Sequence, residues 1–159
     1  MRIFLGLLGI SLILFVAYDV LWTTLRLEGA GPLTSWVTTF LWRLSLRVTH
    51  SHRMLATAGF AIVLFTIPLW VGLVWTGWTL VLNMDADAVV NATTGQPARF
   101  WERLYLIRAN AVTFGTAEYE PRGPAWHLLS TLSAANGFFL VTLVITYLLP
   151  LVQAVQQLR

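Results

Sequence analysis

The stretch Arg99–Pro121, RFWERLYLIRANAVTFGTAEYEP, decides how the rest of the chain is read. Its first half, Arg99 to Val112, mixes apolar Phe100, Trp101, Leu104, Tyr105, Ile107 and Val112 with charged Arg99, Glu102, Arg103 and Arg108. A helix so short and so charged cannot cross a bilayer, which takes about 20 mostly apolar residues. The second half, Thr113 to Glu120, is small and polar around Gly115 and reads as non-helical. Pro121-Arg122-Gly123-Pro124 then makes a turn, and Pro124 suits the first position of a new helix.

Apolar runs lie on both sides of this stretch. Met54–Leu82 holds no charged residue; Pro68 is expected to kink it, and Trp70, Trp75 and Trp78 crowd its second half. Its length implies a tilted helix or one that extends past the bilayer. Between it and Arg99, residues 83–98 carry Asp85, Asp87, Asn91, Thr93, Thr94, Gly95, Gln96 and Pro97, and read as a solvent loop. The next run extends from Ala125 to about Leu151. Its stretch Ser133–Gly137 is built of small residues that let membrane helices approach closely, with Gly137 as a candidate hinge. Pro150 is expected to end or kink this run, and Gln153, Gln156, Gln157 and Arg159 return the chain to water.

Backbone that is neither helix nor barrel is tolerated at membrane depth only where protein buries it or water lines it. The order span, polar loop, short helix, glycine-containing segment, turn, span is that of a loop that re-enters the membrane. In such a loop the short helix can point its negative C-terminal end at a cavity and favour cations there. The extended segment can offer carbonyls in place of hydration water.

A third apolar run, Ile3–Leu25, opens the chain. It is longer than the roughly 7–15 residues of a signal-peptide core, and no small-residue cleavage site follows, so it reads as a retained span. Asp19 near its end has two readings. A carboxylate at membrane depth can mark an ion or proton site. Alternatively Asp19 is a hydrated interfacial residue close to Thr23 and Arg26, the reading that Trp22 and Arg26 favour by marking the headgroup zone. Glu28-Gly29-Ala30-Gly31-Pro32 breaks the helix. Beyond it Leu33, Trp36, Val37, Phe40, Leu41, Leu44 and Val48 recur at helical spacing on one face, and polar residues cover the other. This pattern predicts an amphipathic helix lying in the membrane interface.

Composition agrees with that class. The chain is 57% hydrophobic and 11% charged, with a mean hydropathy of +0.72; soluble domains average roughly 45–50% and about 25%. It contains no cysteine, which excludes disulfides and thiolate metal sites. The net charge of +3 is scattered, all from arginine on the basic side, and forms no nucleic-acid patch. His50 and His52 lie two apart with no acid nearby, and read as an interfacial pair beside Arg53 rather than a metal site. Ser130 and Ser133 have no base at useful spacing, so no catalytic residue is assigned and an enzyme is not expected. The expected fold class is an all-α membrane protein. It has three transmembrane helices, an interfacial amphipathic helix, and a re-entrant pore helix with a filter loop. Residues 1–53 form the N-terminal span and amphipathic helix, and residues 54–159 the pore domain.

Thr113-Phe114-Gly115-Thr116-Ala117-Glu118-Tyr119-Glu120-Pro121 resembles the filter of pore-loop potassium channels, Thr-x-Gly-Tyr-Gly-Asp-x-x-Pro. The wider segment Met54–Arg159 is similar to bacterial two-transmembrane channel proteins, whose inner helix ends in a motif like Tyr-Leu-Pro-x-x-Gln; here that is Tyr147-Leu148-Leu149-Pro150-Leu151-Val152-Gln153. The resemblance implies a pore-forming subunit of a homotetrameric cation channel in the lipid bilayer, a closed ring around one axis. Thr113, Phe114, Gly115, Thr116, Ala117 and Glu118 would form the ion filter. Glu120 would stand at the pore mouth, and Arg108 would be a structural clamp paired with Glu118. Glu118 and Glu120 would form rings that concentrate cations, or pair with Arg108 or Arg122. No cofactor is implied beyond a monovalent cation such as K⁺ in the filter, and no nucleic-acid partner.

Two positions depart from the pattern. Thr116 stands in place of the aromatic, and Ala117 in place of the second glycine. A left-handed backbone costs a residue with a Cβ roughly 1–2 kcal/mol. These departures argue against potassium selectivity and leave open a wider filter, a non-conducting scaffold or sensor, or an accessory membrane subunit. Counting arginines does not orient the chain, since Arg26, Arg43, Arg47, Arg53 and Arg159 balance Arg2, Arg99, Arg103, Arg108 and Arg122. The resemblance implies a pore loop entering from outside a cell membrane, with the N-terminus outside and the C-terminus cytoplasmic.

Overall fold

The computed structural model describes residues 2–25, 30–48, 52–112 and 114–157. Its elements in chain order are α1 (Arg2–Leu25), α2 (Pro32–Val48), α3 (His52–Leu82), β1 (Val89–Asn91), α4 (Phe100–Ala111), β2 (Tyr119–Pro121) and α5 (Pro124–Gln157). Three helices are long and apolar enough to cross a membrane, through Arg2–Thr24, Leu64–Leu82 and Pro124–Thr146. α3 runs through Pro68 without a break, and α5 continues through Pro150, which was expected to end or kink it. Residues Tyr147–Gln153 fall in this last part of α5, where only the backbone is described.

The chain divides into two compact units, Met1–Ile13 with Leu73–Arg159, and Leu14–Gly72. The division falls inside α1 and α3, where the sequence reading cut the chain after residue 53.

In the first unit, α1 and α3 approach at glycine. A Cβ added to Gly9 would lie 2.5 Å from the Gly77 carbonyl, and one added to Gly77 would lie 2.7 Å from Ile13 Cγ1. Small residues at such a crossing are how membrane helices gain packing contacts where lipid offers no hydrophobic drive. The buried core joins Leu82, Ala88, Val89, Ala98, Leu106 and Ile107, with Trp75, Trp78, Tyr119 and Trp126 packed against it.

Residues 83–98 are therefore not the plain solvent loop that their polarity suggested. β1 pairs antiparallel with β2 in the register Val89↔Pro121, Val90↔Glu120 and Asn91↔Tyr119. On the other side of β1, Val90 bridges to Pro97, and Ala98 N–H donates to Val89 O at 2.8 Å. The fold is mostly helical, with this short ladder added to the expected all-α plan. Strands of three residues give too little alternation to be seen in sequence.

The second unit holds the rest of α1, all of α2 and the first part of α3. In α2, Thr34 and Val37 are buried while Trp36, Phe40 and Leu44 are exposed. The apolar face anticipated for α2 is thus split: one edge packs within the unit and the rest stays uncovered in the single chain.

Candidate functional site

The candidate site lies in the first unit, where α4 ends and residues 114–118 lead to β2. Glu102, in the first turn of α4, accepts from the Arg99 N–H at 2.6 Å and caps the helix. At the other end the chain folds back: Phe114 and Gly115 N–H both donate to the Ala109 carbonyl, at 2.9 and 3.3 Å. Gly115 has φ +63°, a left-handed conformation that suits glycine. The C-terminal carbonyls of α4, expected to face a cavity, are thus in part taken up by the loop that follows.

That loop presents its residues outward. Phe114 is 87% exposed, and Gly115, Ala117 and Glu118 are exposed as well. Thr116 is half-buried and its Oγ1 donates to Tyr119 O at 3.1 Å. Ala92 N–H donates to Glu118 O at 2.9 Å, so the segment enters the strand ladder just after Ala117. Thr113, the first residue of the candidate filter, lies outside the described residues. Glu120 is on β2 and exposed.

α4 packs on α5 through small side chains. Asn110 Nδ2 donates to Ser130 Oγ at 2.8 Å, and Ser133 Oγ donates to Ser130 O. Ser130, Ser133 and Gly137 are all buried. A Cβ added to Gly137 would sit 2.6 Å from the Cβ of Ala111. Gly137, picked out as a hinge, is here a contact point that brings α5 against the end of α4.

Two arginines of α4 take different roles. The guanidinium of Arg108 lies over the Trp75 ring, 5.5 Å from its centroid, which is a cation–π contact with α3 and not the expected pairing with Glu118. Arg103 is 4% exposed, and sequence reading gave it no role. Its Nε donates to Ala98 O at 2.9 Å, Nη1 to Asp85 O at 2.8 Å and to Leu82 O, and Nη2 to Ala86 O. Leu82 ends α3, so a buried cation closes that helix where its dipole is negative. Burial lowers the Arg103 pKa from its ordinary value, with Asp85 opposing the shift. Desolvation raises that of the Tyr119 phenol, helped by the charges of Glu102 and Glu118. The Tyr119 ring meets Tyr105 of α4 edge-on, centroids 6.3 Å apart.

Asp19, in the second unit, is not the hydrated carboxylate that was expected. It is 0% exposed. Oδ1 accepts from Leu33 N–H at 2.7 Å and Thr34 N–H at 3.3 Å. Oδ2 accepts from the Thr34 hydroxyl at 2.6 Å and from Trp70 Nε1 at 2.9 Å. Gly31 N–H donates to Thr23 Oγ1 at 2.9 Å beside it. Arg26, His50 and Ser51 lie outside the described residues, as does the side chain of His52. The physical reason for the burial is that α2 needs a cap. Gly31 precedes the first helical residue and offers no side chain, so the carboxylate arrives from α1. Four donors converging on the two oxygens leave little to attract a cation, which argues against the ion-site reading too.

The chain is similar to a curated protein of Bacillus subtilis (strain 168) named "Uncharacterized membrane protein YdjJ", 32% identical over 153 residues. The match covers 95% of this chain and 45% of the relative, so the chain spans under half of the relative's length. No protein-family model matches the chain, and no solved structure does. Three helices fit to cross a bilayer and a relative described as a membrane protein together make this chain a membrane protein.

Proposed function

We propose that the chain is the pore-forming subunit of a homotetrameric cation channel, similar to potassium channels but with an altered filter. The observation that carries this reading is the segment after α4. It leaves a short helix between two candidate spans, turns through a left-handed Gly115, and exposes Phe114, Gly115, Ala117 and Glu118 rather than packing them away. A single copy leaves that surface open; four copies around an axis would close it. α4 then serves as the pore helix, α3 and α5 as outer and inner helices, and α2 as an interfacial helix. The pore loop enters from outside, placing the N-terminus outside and the C-terminus in the cytoplasm.

Ala117 and Thr116 set the selectivity in this reading. The segment lacks the second glycine and the aromatic of a potassium filter, so it favours a wider path that admits both Na⁺ and K⁺. Glu118 and Glu120 line the mouth and raise local cation concentration. Purified protein in liposomes should take up Rb⁺ and Na⁺ at comparable rates; absence of uptake of either ion favours the second reading, a non-conducting scaffold or accessory subunit. That second reading draws on the Ala109 carbonyl, which accepts two loop N–H groups and is so drawn away from an ion.

A further inference from the structure

We propose that Asp19 is a buried latch that holds α2 docked within its unit, and that α2 undocks at its N-terminal end when the carboxylate is lost. The inference is independent of whether the chain conducts ions.

Three observations combine. First, Leu33 and Thr34 are the second and third residues of α2, the two whose N–H groups an N-cap side chain satisfies. Asp19 receives both, from another helix. Secondly, Gly31 lies tight against it: a Cβ there would lie 2.7 Å from Asp19 Cγ and 2.8 Å from the Asp19 backbone carbonyl, so residue 31 has no room for a side chain of its own. Thirdly, Trp70 of α3 donates to the same oxygen as the Thr34 hydroxyl. One carboxylate thus ties α1, α2 and α3 together.

Among the described residues, the groups bonded to Asp19 are neutral donors: two backbone N–H groups, a hydroxyl and an indole N–H. A charged acceptor makes such bonds roughly twice as strong as a neutral one. An amide cannot replace it. Whichever way Asn would turn at position 19, its NH₂ would face either the Leu33 N–H or the Trp70 indole N–H. The latch therefore depends on the negative charge and on two oxygens that both accept.

The chain has no cysteine, so single introduced thiols report without background. Val37 is 8% exposed and Trp36 is 68% exposed on the same turn of α2. In the purified chain, N-ethylmaleimide should label V37C slowly and W36C quickly. Asp19→Ala should speed labelling of V37C by about tenfold, the scale of a lost cap with its charged bonds, and leave W36C within about twofold. Should Asp19→Ala fail to fold, Thr34→Val and Trp70→Phe each remove one bond and should speed V37C labelling more modestly. Asp19→Asn should speed it as well, and adding Trp70→Phe to Asp19→Asn should slow it again, because the opposed N–H is gone. Unchanged V37C labelling in Asp19→Ala and in both milder variants would overturn the latch. So would equal acceleration at W36C, or a double variant faster than Asp19→Asn alone.

Discussion

Asp19 and Gly31 share one helix cap: Gly31 holds the backbone position, accepting the Ser35 N–H at 2.7 Å, and Asp19 fills the space of the side chain that Gly31 lacks. The division of labour has a consequence that a simple cap would not. Serine is ordinarily as good as or better than glycine at an N-cap. Here Gly31→Ser should destabilise the chain by about 1–3 kcal/mol, because its Cβ meets the Asp19 carboxyl. The shift is measurable as a lower midpoint of thermal unfolding in detergent. Asp19→Ala in the Gly31→Ser background should recover only the part of the loss due to the carboxyl, because the backbone carbonyl of residue 19 still lies 2.8 Å from the new Cβ.

Arg103 should be the least replaceable residue of α4. Arg103→Met removes a donor from four backbone carbonyls, of which Asp85 O keeps the Ala88 N–H, at about 1–3 kcal/mol for each one left buried and unpaired. A chain of marginal stability does not survive that loss. The expected outcome is protein that is inserted but rapidly cleaved by protease in the 83–99 region. Arg103→Lys keeps the charge with fewer and differently placed donors, and should show intermediate cleavage.

Gly137 tests packing against hinging. With Ala111 Cβ so close, Gly137→Ala should cost about 1–3 kcal/mol by overpacking. Ala111→Gly removes the Cβ but leaves the Cα of residue 111 at 2.8 Å, so it should relieve part of the cost and make the pair non-additive in a double-mutant cycle read by thermal unfolding. A pure hinge predicts independence of Ala111.

Much of this architecture is legible in the sequence because long apolar runs and their breaks carry it. The three spans follow from Ile3–Leu25, Met54–Leu82 and the run beginning at Ala125, and α4 follows from its mixed, short pattern. What the sequence hides is pairwise. Nothing local distinguishes Asp19 as a cap from Asp19 as a hydrated headgroup neighbour, because its partners Leu33, Thr34 and Trp70 are far along the chain. Arg103 reads as one more charge on a polar helix, and its burial depends on carbonyls left free where α3 stops. Gly9 and Gly77 carry no signal alone; only their crossing gives them meaning.

Replacing both departures, Thr116→Tyr with Ala117→Gly, should raise the Rb⁺ over Na⁺ uptake ratio by about tenfold, as restored carbonyl geometry favours the larger ion. Ala117→Gly alone should give a smaller rise. An unchanged ratio means that residues 116 and 117 do not face permeating ions.

The most direct test of the central claim is whether residue 118 lines an ion path. In liposomes of the otherwise cysteine-free chain, Glu118→Cys should support Rb⁺ uptake that a cationic methanethiosulfonate reagent cuts by about tenfold, as a fixed positive charge bars cations from the mouth. Wild-type uptake should be unaffected by the same reagent. Uptake in the Glu118→Cys chain that the reagent leaves unchanged, or no uptake in either chain, would contradict the account.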